Sequence, residues 1–208
     1  MSEFTYENKK TSTPLEKYEW DYPWWEQTGN DEGKRILYIG DSISCGTRTV
    51  ATKLSENKYL FDGFGSSKGI DNPYFAESVL LFARQQGKRE AVLFNNGLHG
   101  WHLSTAEYKE NYEKMINFLM AEFKNTPLVL LLTTDDRDNA EKQKTIVERN
   151  AVVLALAEKY ALPVLDLYKI SKEHADLHTD CVHFNPEGYK YIAEAIINKL
   201  DEILNGGK

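Results

Sequence analysis

A serine that directly follows a buried strand is the first candidate for chemistry in this sequence. Residues 35–44 read RILYIGDSIS, an apolar run that ends in Gly-Asp-Ser. Gly, Asp and Ser are ordinary turn residues, so a simple turn explains the stretch. A nucleophile held at the end of a strand explains it equally well, and Ser42 is then that nucleophile.

Serine is a weak nucleophile until a base takes its proton, so a histidine is required. Of the five histidines, His183 is the one in a setting that also supplies an orienting carboxylate, because DCVH places Asp180 three residues before it. One loop turn can set the Asp180 carboxylate against Nδ1 of the imidazole and leave Nε2 facing Ser42. Taken singly, Asp180 is also explained as a loop-capping acid and His183 as a partly buried loop histidine.

Alternating strands and helices place these residues at one edge of a sheet. Apolar runs predict five strands, at residues 35–40, 58–65, 91–97, 127–134 and 162–168. Helices are predicted at about 46–56, 73–86, 104–123 and 139–160, with a last one that begins at Pro186. This alternation predicts an α/β protein with a five-stranded parallel sheet between two helical layers. Ligands of such sheets bind beyond the carboxyl ends of the strands, where Ser42 lies.

The chain divides into a short lead and one domain. Residues 1–33 are polar and contain an aromatic cluster, which predicts an extended arm whose rings cover apolar surface: Trp20, Tyr22, Trp24 and Trp25. So short a segment cannot bury a core of its own. Residues 34–208 carry the strand-helix alternation and are predicted to form the domain that holds the site.

Composition argues against several classes of protein. The formal net charge is −7 and no Lys/Arg cluster stands out, which argues against a nucleic-acid or anionic-membrane partner. No apolar stretch reaches the length of a membrane span, and the first residues lack the apolar core of a signal peptide. We therefore expect a cytoplasmic protein, although a secreted protein whose signal has been removed has the same composition. Two cysteines do not make a disulfide framework.

Two motifs together resemble the first and last sequence blocks of the SGNH, or GDSL, hydrolase superfamily. They are GDSI after the first strand and D-x-x-H-F-x-x-x-G-Y before the last helix, and the resemblance covers roughly residues 34–204. It implies a flavodoxin-like three-layer fold and a serine ester hydrolase. The implied roles are Ser42 as nucleophile, His183 as general base and Asp180 as the residue that orients the base. The resemblance implies neither a metal nor an organic cofactor.

The two middle blocks of that superfamily supply an oxyanion hole, from the N–H of a glycine and the side-chain amide of an asparagine. Alongside the N–H of Ser42, Gly65 in DGFGSSKG fits the glycine position. The pattern Gly-x-Asn-Asp should end the third strand, but residues 97–100 read GLHG. His99 therefore stands where the resemblance places the asparagine.

Three outcomes of this replacement are open. A neutral His99 of the right tautomer can donate an N–H to the oxyanion. Asn96 or Asn95 can instead approach from a shifted register, although loop hydrogen bonding explains both asparagines as well. In the third outcome the hole is incomplete, and losing one donor costs roughly two to three orders of magnitude in rate. We favour His99.

Four residues at this edge of the sheet are candidates for contact with substrate: Asp41, Asn95, Trp101 and Asp135. Each also has a structural interpretation, in which Asp41 holds its turn, Trp101 packs under a loop and Asp135 belongs to a solvated turn. The preferred substrate is a small acyl ester. Acetyl groups on a carbohydrate are favoured by the resemblance and by the Trp, Asn and Asp residues of this edge.

Other functions fit parts of the sequence. The same chemistry serves a lysophospholipase or an acyl-thioesterase, and the missing asparagine suits a catalytically silent carbohydrate-binding protein. His174, Asp176 and His178 crowd the segment before Asp180, but their spacing matches no HExxH or CxxC metal motif. The first turn has neither G-x-G-x-x-G nor a P-loop, which argues against a nucleotide-binding module.

Overall fold

Six strands form a single sheet in the computed structural model, which describes residues 15–206 of the chain. In chain order they are β1 (Asp21–Trp24), β2 (Lys34–Gly40), β3 (Tyr59–Ser66), β4 (Ala91–Phe94), β5 (Leu128–Leu131) and β6 (Val164–Leu165). Their order across the sheet is β1-β3-β2-β4-β5-β6, and every neighbouring pair is parallel except β1 with β3. The sequence predicts five strands. The sixth, β1, comes from the arm, whose DYPW segment has no continuous apolar run to mark it.

Helices cover both faces of the sheet, which confirms the predicted three-layer α/β/α fold. They are α1 (Ser42–Leu54), α2 (Phe75–Ala83), α3 (Thr105–Glu122), α4 (Ala140–Tyr160), α5 (Leu167–Glu173) and α6 (Pro186–Asn205). The first face packs against α2, α3 and most of α4, and the second packs against α1, α5 and α6. None of the described helices is both long enough and apolar enough to cross a membrane.

The central strand β2 shows why its sequence is apolar almost throughout. Leu37 and Ile39 point into the core beneath α2 and α3, whereas Ile36 and Tyr38 point into the core beneath α1 and α6. All four side chains are at most 1% exposed. Because successive side chains of a strand alternate between faces, a strand covered on both sides needs apolar residues at every position.

Two elements around the site have boundaries that differ from those predicted from the sequence. Helix α1 begins at Ser42 rather than near residue 46, because the Asp41 carboxylate accepts the Ile43 N–H at 2.9 Å and caps the helix. Strand β4 ends at Phe94, so residues 95–104 form a loop where the sequence predicts strand as far as residue 97. Ser42 therefore occupies the first turn of a helix.

The predicted strand at residues 162–168 is largely wrong. Only Val164 and Leu165 pair with β5, and α5 begins at Leu167. The reason is a second carboxylate cap, in which Asp166 accepts the N–H of Lys169 at 2.8 Å. An apolar run cannot by itself distinguish a buried strand from the buried face of a short helix.

A buried carboxylate ties the arm to the sheet. Asp62 on β3 is 0% exposed, and it accepts hydrogen bonds from the Glu26 N–H at 2.7 Å, from Arg35 at 3.0 Å and from Gln86 at 2.7 Å. Because a buried charge needs partners, these donors fix the chain where it leaves β1. The arm is thus built into the sheet.

Candidate active site

Ser42 and His183, which are 141 positions apart in the chain, meet at the carboxyl edge of the sheet. The Ser42 Oγ lies 2.8 Å from Nε2 of His183. Strand β2 and the Asp41 cap deliver the serine to this edge, and the loop before α6 delivers the histidine. The distance is that of a hydroxyl donating a hydrogen bond to an imidazole nitrogen.

Asp180 holds the other side of the same imidazole. Its Oδ2 lies 2.8 Å from His183 Nδ1, while its Oδ1 accepts the N–H groups of Val182 at 2.9 Å and His183 at 2.8 Å. These bonds, led by the one from the His183 N–H, lower the pKa of Asp180 to about 2. Asp180 is therefore a carboxylate, which keeps a hydrogen on Nδ1 and leaves the Nε2 lone pair facing Ser42.

Backbone hydrogen bonds hold the loop that carries Asp180 and His183. Within the loop the Thr179 N–H donates to the His183 carbonyl at 2.8 Å. The Arg137 N–H, from the segment after β5, donates to the Cys181 carbonyl at 3.0 Å. These backbone bonds fix the loop independently of its exposed side chains.

Asp135 lies in the interior beneath this loop. The residue is 1% exposed, its Oδ1 lies 3.2 Å from Nε2 of the buried His178, and its N–H donates to Ser171 at 3.0 Å. Phe184 packs on the His178 ring at 4.1 Å between centroids. The expected contact of Asp135 with sugar hydroxyls does not fit this burial. Sequence reasoning missed the support that His178 gives to the loop.

Asp41 also faces inward. It is 3% exposed, one carboxylate oxygen caps α1, and the other, Oδ2, is buried without a hydrogen-bond partner in residues 15–206. Burial raises the pKa of Asp41. A void of about 10 Å³ adjoins Asp41 and Thr134, close to the volume that one water needs. The structure places Asp41 as the residue that holds the turn and not as a substrate contact.

Gly65 is part of strand β3 and not of the loop after it. It pairs with Tyr22 of β1, and the bond from the Ser67 N–H to the Trp20 carbonyl at 3.0 Å shows that alternate residues of this segment face β1. The N–H of Gly65 is therefore directed to β1, which corrects its expected role as an oxyanion donor. Glycine is required here because a Cβ would lie 2.3 Å from the Cys45 sulfur.

Asn95 and Asn96 use their amides to hold the loop after β4. Asn95 Nδ2 donates to the Leu131 carbonyl at 2.8 Å and to Thr133 at 3.1 Å, which joins the ends of β4 and β5. Asn96 Nδ2 donates to the Lys68 carbonyl at 2.9 Å. Loop hydrogen bonding, one of the two interpretations of these asparagines, describes both contacts. Among the described residues, no hydrogen bond joins either asparagine to Ser42.

Arg149 of α4 organises the turn that bears His99, and sequence reasoning missed it. Its guanidinium donates to the carbonyls of Gly97 at 2.9 Å, His99 at 2.7 Å and Gly100 at 2.6 Å. The side chain is buried although the group is charged, and it lies over the Trp101 ring at 5.0 Å. The available signal was an arginine on the apolar stripe of a helix.

His99 contacts the arm through one nitrogen and leaves the other free. Nδ1 lies 2.9 Å from Glu16 Oε1, and Trp20 packs edge-on to the ring with centroids 6.2 Å apart. Nε2 is buried and has no partner among the described residues. Because the hydrogen on Nδ1 serves Glu16, a neutral ring has no hydrogen on Nε2. This corrects the expectation that a neutral His99 donates to an oxyanion.

Charges around His99 favour its protonated form. Burial alone favours the neutral ring, but the hydrogen bond to Glu16 and the negative charge of Asp41 outweigh it and raise the pKa of His99. Burial likewise acts to raise the pKa of Glu16, but the bond and charge of His99 lower it overall. Both shifts favour the form of the pair in which His99 is an imidazolium and Glu16 a carboxylate.

A pocket of about 410 Å³ opens beside this pair. Its walls come from the arm, from the turn after β3 and from the loop after β4, and they include Leu15, Glu16, Trp101, His102 and Lys142. His102 bonds to Asp71 at 2.9 Å, and Lys142 lies 4.8 Å from the centre of the Trp101 ring. Trp101, one of the predicted substrate contacts, lines this pocket.

His174 and the side chains of the two cysteines take no part in this arrangement. His174 stacks on Tyr191 with centroids 3.7 Å apart, and Cys45 and Cys181 are free thiols. Within residues 15–206, no group of three or more His, Cys, Asp or Glu side chains is placed to hold a metal ion.

Solved structures of other proteins share this fold. An acetyl xylan esterase, AlAXEase, is 17% identical with a TM-score of 0.64, and the match covers 80% of this chain and 99% of that one. The C-terminal catalytic domain of Streptococcus pneumoniae peptidoglycan O-acetyltransferase A, which carries a methylsulfonyl adduct, is 19% identical with a TM-score of 0.66 over 83% and 96%. A lipase/acylhydrolase from Enterococcus faecalis is 20% identical with a TM-score of 0.62 over 82% and 96%.

The sequence itself gives the family. No curated protein sequence matches the chain. The profile of the GDSL-like lipase/acylhydrolase family matches residues 81–191, a stretch that includes His99, Asp180 and His183. This stretch is more than half of the 208 residues, and the fold and the two motifs agree with it. The chain therefore belongs to the GDSL-like lipase/acylhydrolase family.

Proposed function

We propose that this protein is a serine ester hydrolase that works through an acyl-enzyme, with Ser42 as nucleophile. The observation that carries the proposal is the continuous hydrogen-bonded chain from Asp180 through His183 to Ser42, with both links at 2.8 Å. A nucleophile, a base and a residue that orients the base, each within hydrogen-bond reach of the next, are the groups that acyl transfer requires.

In the first half of the reaction, Ser42 Oγ attacks the carbonyl carbon of the ester while His183 Nε2 takes the hydroxyl proton. The tetrahedral intermediate then collapses and breaks the bond between the carbonyl carbon and the alcohol oxygen. His183 returns its proton to that oxygen, so the alcohol leaves neutral and the acyl group stays on Ser42. The Asp180 carboxylate stabilises the imidazolium that forms between these two steps.

In the second half, a water molecule replaces the alcohol. His183 Nε2 takes one proton from the water as its oxygen attacks the acyl carbon, and the second tetrahedral intermediate releases Ser42 and the carboxylic acid. The proton held by His183 returns to Ser42 Oγ. A sugar hydroxyl in place of water makes the same enzyme a transferase.

Two groups are suited to stabilise the negative oxygen of these intermediates. Ser42 occupies the first turn of α1, where backbone N–H groups without helical partners and the helix dipole favour negative charge. His99 Nε2 is buried, has no hydrogen-bond partner in the described part of the chain, and bears a hydrogen when the ring is protonated. We assign the hole to the N–H of Ser42 and to His99, with His99 in the role that the resemblance gives to an asparagine.

Acetyl groups on a carbohydrate are the substrate class that we propose. Two proteins of the same fold are described as an acetyl xylan esterase and a peptidoglycan O-acetyltransferase, and both descriptions concern acetyl groups on sugars. The pocket beside His99 has the flat ring of Trp101 in its wall together with the polar His102 and Lys142. A wall that combines an aromatic side chain with a few polar groups is typical of a pocket for a polar organic ligand.

Active-site labelling and turnover test the proposal together. We expect the wild type to hydrolyse p-nitrophenyl acetate faster than the octanoate and to release acetate from acetylated xylan, whereas Ser42→Ala loses turnover by at least about 10³-fold. A methanesulfonyl fluoride probe should add its sulfonyl group to the peptide that contains Ser42, and His183→Ala should greatly slow this labelling. Ser55→Ala, at the far end of α1, is the matched control.

Each alternative has its own outcome in the same experiment. Preference for the octanoate contradicts the acetyl specificity and favours a lysophospholipase or an acyl-thioesterase. Turnover that is unmeasurable and equal in wild type and Ser42→Ala contradicts the enzyme and leaves a silent carbohydrate-binding protein.

A further inference from the structure

The arm supplies a carboxylate to the interior of the candidate site. Glu16 Oε1 lies 2.9 Å from Nδ1 of His99, and the two side chains are 34% and 15% exposed. The segment is anchored nearby, because the Trp20 N–H donates to Ser67 Oγ at 2.8 Å and the Ser67 N–H donates back to the Trp20 carbonyl at 3.0 Å. Glu16 is therefore held against His99 by backbone contacts at the end of β3.

We propose that Glu16 is a positioning residue of this site, whose carboxylate takes the hydrogen bond of His99 Nδ1–H and holds the ring as an imidazolium with Nε2–H available to the oxyanion. The inference rests on the proposed ester hydrolysis. It adds two points to that proposal. The oxyanion donor is cationic, and a residue of the arm, Glu16, completes the site.

The position of the protons follows from the acceptor. A carboxylate only accepts hydrogen bonds, so the nitrogen that faces Glu16 must carry a hydrogen. A neutral His99 would then present a lone pair at Nε2, and a lone pair repels a developing oxyanion. Only the imidazolium has a hydrogen on both nitrogens. A charged donor also forms the stronger hydrogen bond to an anion, which suits a buried site.

The groups around His99 make this charged form reasonable. Glu16 and Glu19 face it from the arm and Asp41 from the cap of α1, and all three negative charges raise the pKa of His99. Arg149 approaches from α4, but it donates to the His99 carbonyl and not to the ring. Asp41 also interacts with the charge of His183, which lies across Ser42. Lys142, also from α4, lies in the same pocket, where its charge acts on Glu16. The charges that act on the His99 ring are therefore those of three carboxylates.

The two histidines then need opposite protonation states at one pH. His183 must be neutral to accept the Ser42 proton, whereas His99 must be protonated to donate. The proposal predicts that the alkaline limb in the dependence of kcat on pH follows the loss of the His99 proton. Glu16→Gln removes the negative charge but keeps an oxygen that can accept from Nδ1–H.

We test the proposal by nitrogen-15 NMR titration of His99, assigned through His99→Gln, alongside the pH profile of p-nitrophenyl acetate hydrolysis. In Glu16→Gln we expect the Nε2 proton of His99 to titrate about one pH unit or more below its wild-type value, and the alkaline limb of kcat to move with it. At pH values below the alkaline limb of Glu16→Gln, the kcat of this variant should approach that of the wild type. Asp21→Asn is the matched control, since it removes one carboxylate from the same arm and should leave both titrations in place.

The outcomes separate this inference from the proposed function. If His99 titrates at the same pH in wild type and Glu16→Gln, the inference is overturned even when Ser42-dependent turnover is intact. If the wild type has no turnover, the ester hydrolase is overturned, and the NMR titration still decides whether Glu16 holds the charge of His99.

Discussion

The side chain of Asp180 is largely exposed, yet two N–H groups of its own loop determine its protonation state. Their hydrogen bonds, with the one from His183 foremost, keep the pKa near 2, so the carboxylate persists far into acid. The same geometry turns Oδ2 to Nδ1 of His183. A motif of four residues thus contains both the orienting group and the means of keeping it charged. This compactness is why DCVH could be interpreted from the sequence.

Replacing Asp180 tests whether this orientation matters for turnover. An asparagine can donate to His183 Nδ1 and so permit the wrong tautomer, in which Nε2 carries the hydrogen and cannot accept from Ser42. We expect Asp180→Asn to lower kcat for p-nitrophenyl acetate by about 10³–10⁴-fold with little change in KM. A loss of less than tenfold in steady-state kinetics contradicts the role of Asp180. Asp176→Asn, a few residues earlier, is the control.

The same substitution makes a prediction about stability in acid. Because the pKa of Asp180 is lowered in the folded protein, the carboxylate stabilises the fold above its unfolded pKa, and this contribution is lost as pH falls toward 2. The difference in unfolding free energy between wild type and Asp180→Asn should therefore shrink between about pH 4 and pH 2. Urea unfolding at several pH values measures it.

At the scale of elements, the loop after β4 shows where sequence reasoning stops. The apolar run of β4 could be predicted, but the conformation of the turn at Gly97 to Gly100 depends on Arg149, about 50 residues away. The position of Arg149 on the apolar stripe of α4 indicates that its side chain is buried, but it does not identify the partners. Its three carbonyl partners exist only after α4 has packed. Long-range contacts of this kind leave no local pattern.

Removing the guanidinium should release this loop. Arg149→Met keeps much of the apolar stem and leaves three carbonyls without their donor, so we expect the free energy of unfolding to fall by about 2–4 kcal/mol. The kcat should fall as well, because His99 belongs to the released turn. Arg84→Met, which changes an exposed arginine directly after α2, should leave both quantities unchanged. Denaturant unfolding and ester kinetics measure the two effects, and unchanged kcat in a folded Arg149→Met protein contradicts the positioning of His99 by this loop.

At the scale of the whole molecule, the arm belongs to the sheet and to the site at once. The three-layer arrangement and the meeting of Ser42 with the last loop could be predicted, because alternating strands and helices give a parallel sheet whose ligands bind at the carboxyl ends of the strands. The pairing of β1 and the contact of Glu16 with His99 could not, since both join segments far apart in sequence. The arm is polar, and its few apolar residues do not recur at the spacing of a strand or a helix. Its packing against β3 and His99 could therefore not be deduced from the sequence.

Asp62 gives a test of how firmly the arm is integrated. Asp62→Asn leaves the Arg35 guanidinium beside a neutral amide in a buried setting, and breaking such a pair costs about 3–5 kcal/mol. We expect a loss of about 3 kcal/mol in unfolding free energy, measured by urea with tryptophan fluorescence as the signal. Asp31→Asn, in the exposed turn after β1, is the control. Equal stability of the two variants contradicts the buried anchor.

Pro23 of β1 has a consequence for association between molecules. Since Tyr22 and Trp24 turn their N–H groups to β3, position 23 faces the open side of the sheet, and proline has no N–H to offer there. A strand from a second molecule cannot add in register along this side, so the sheet ends with β1. Without the arm, the free side of β3, a strand of eight residues, would be bare to such additions. By pairing with β3, strand β1 therefore also disfavours the association of molecules through this edge of the sheet.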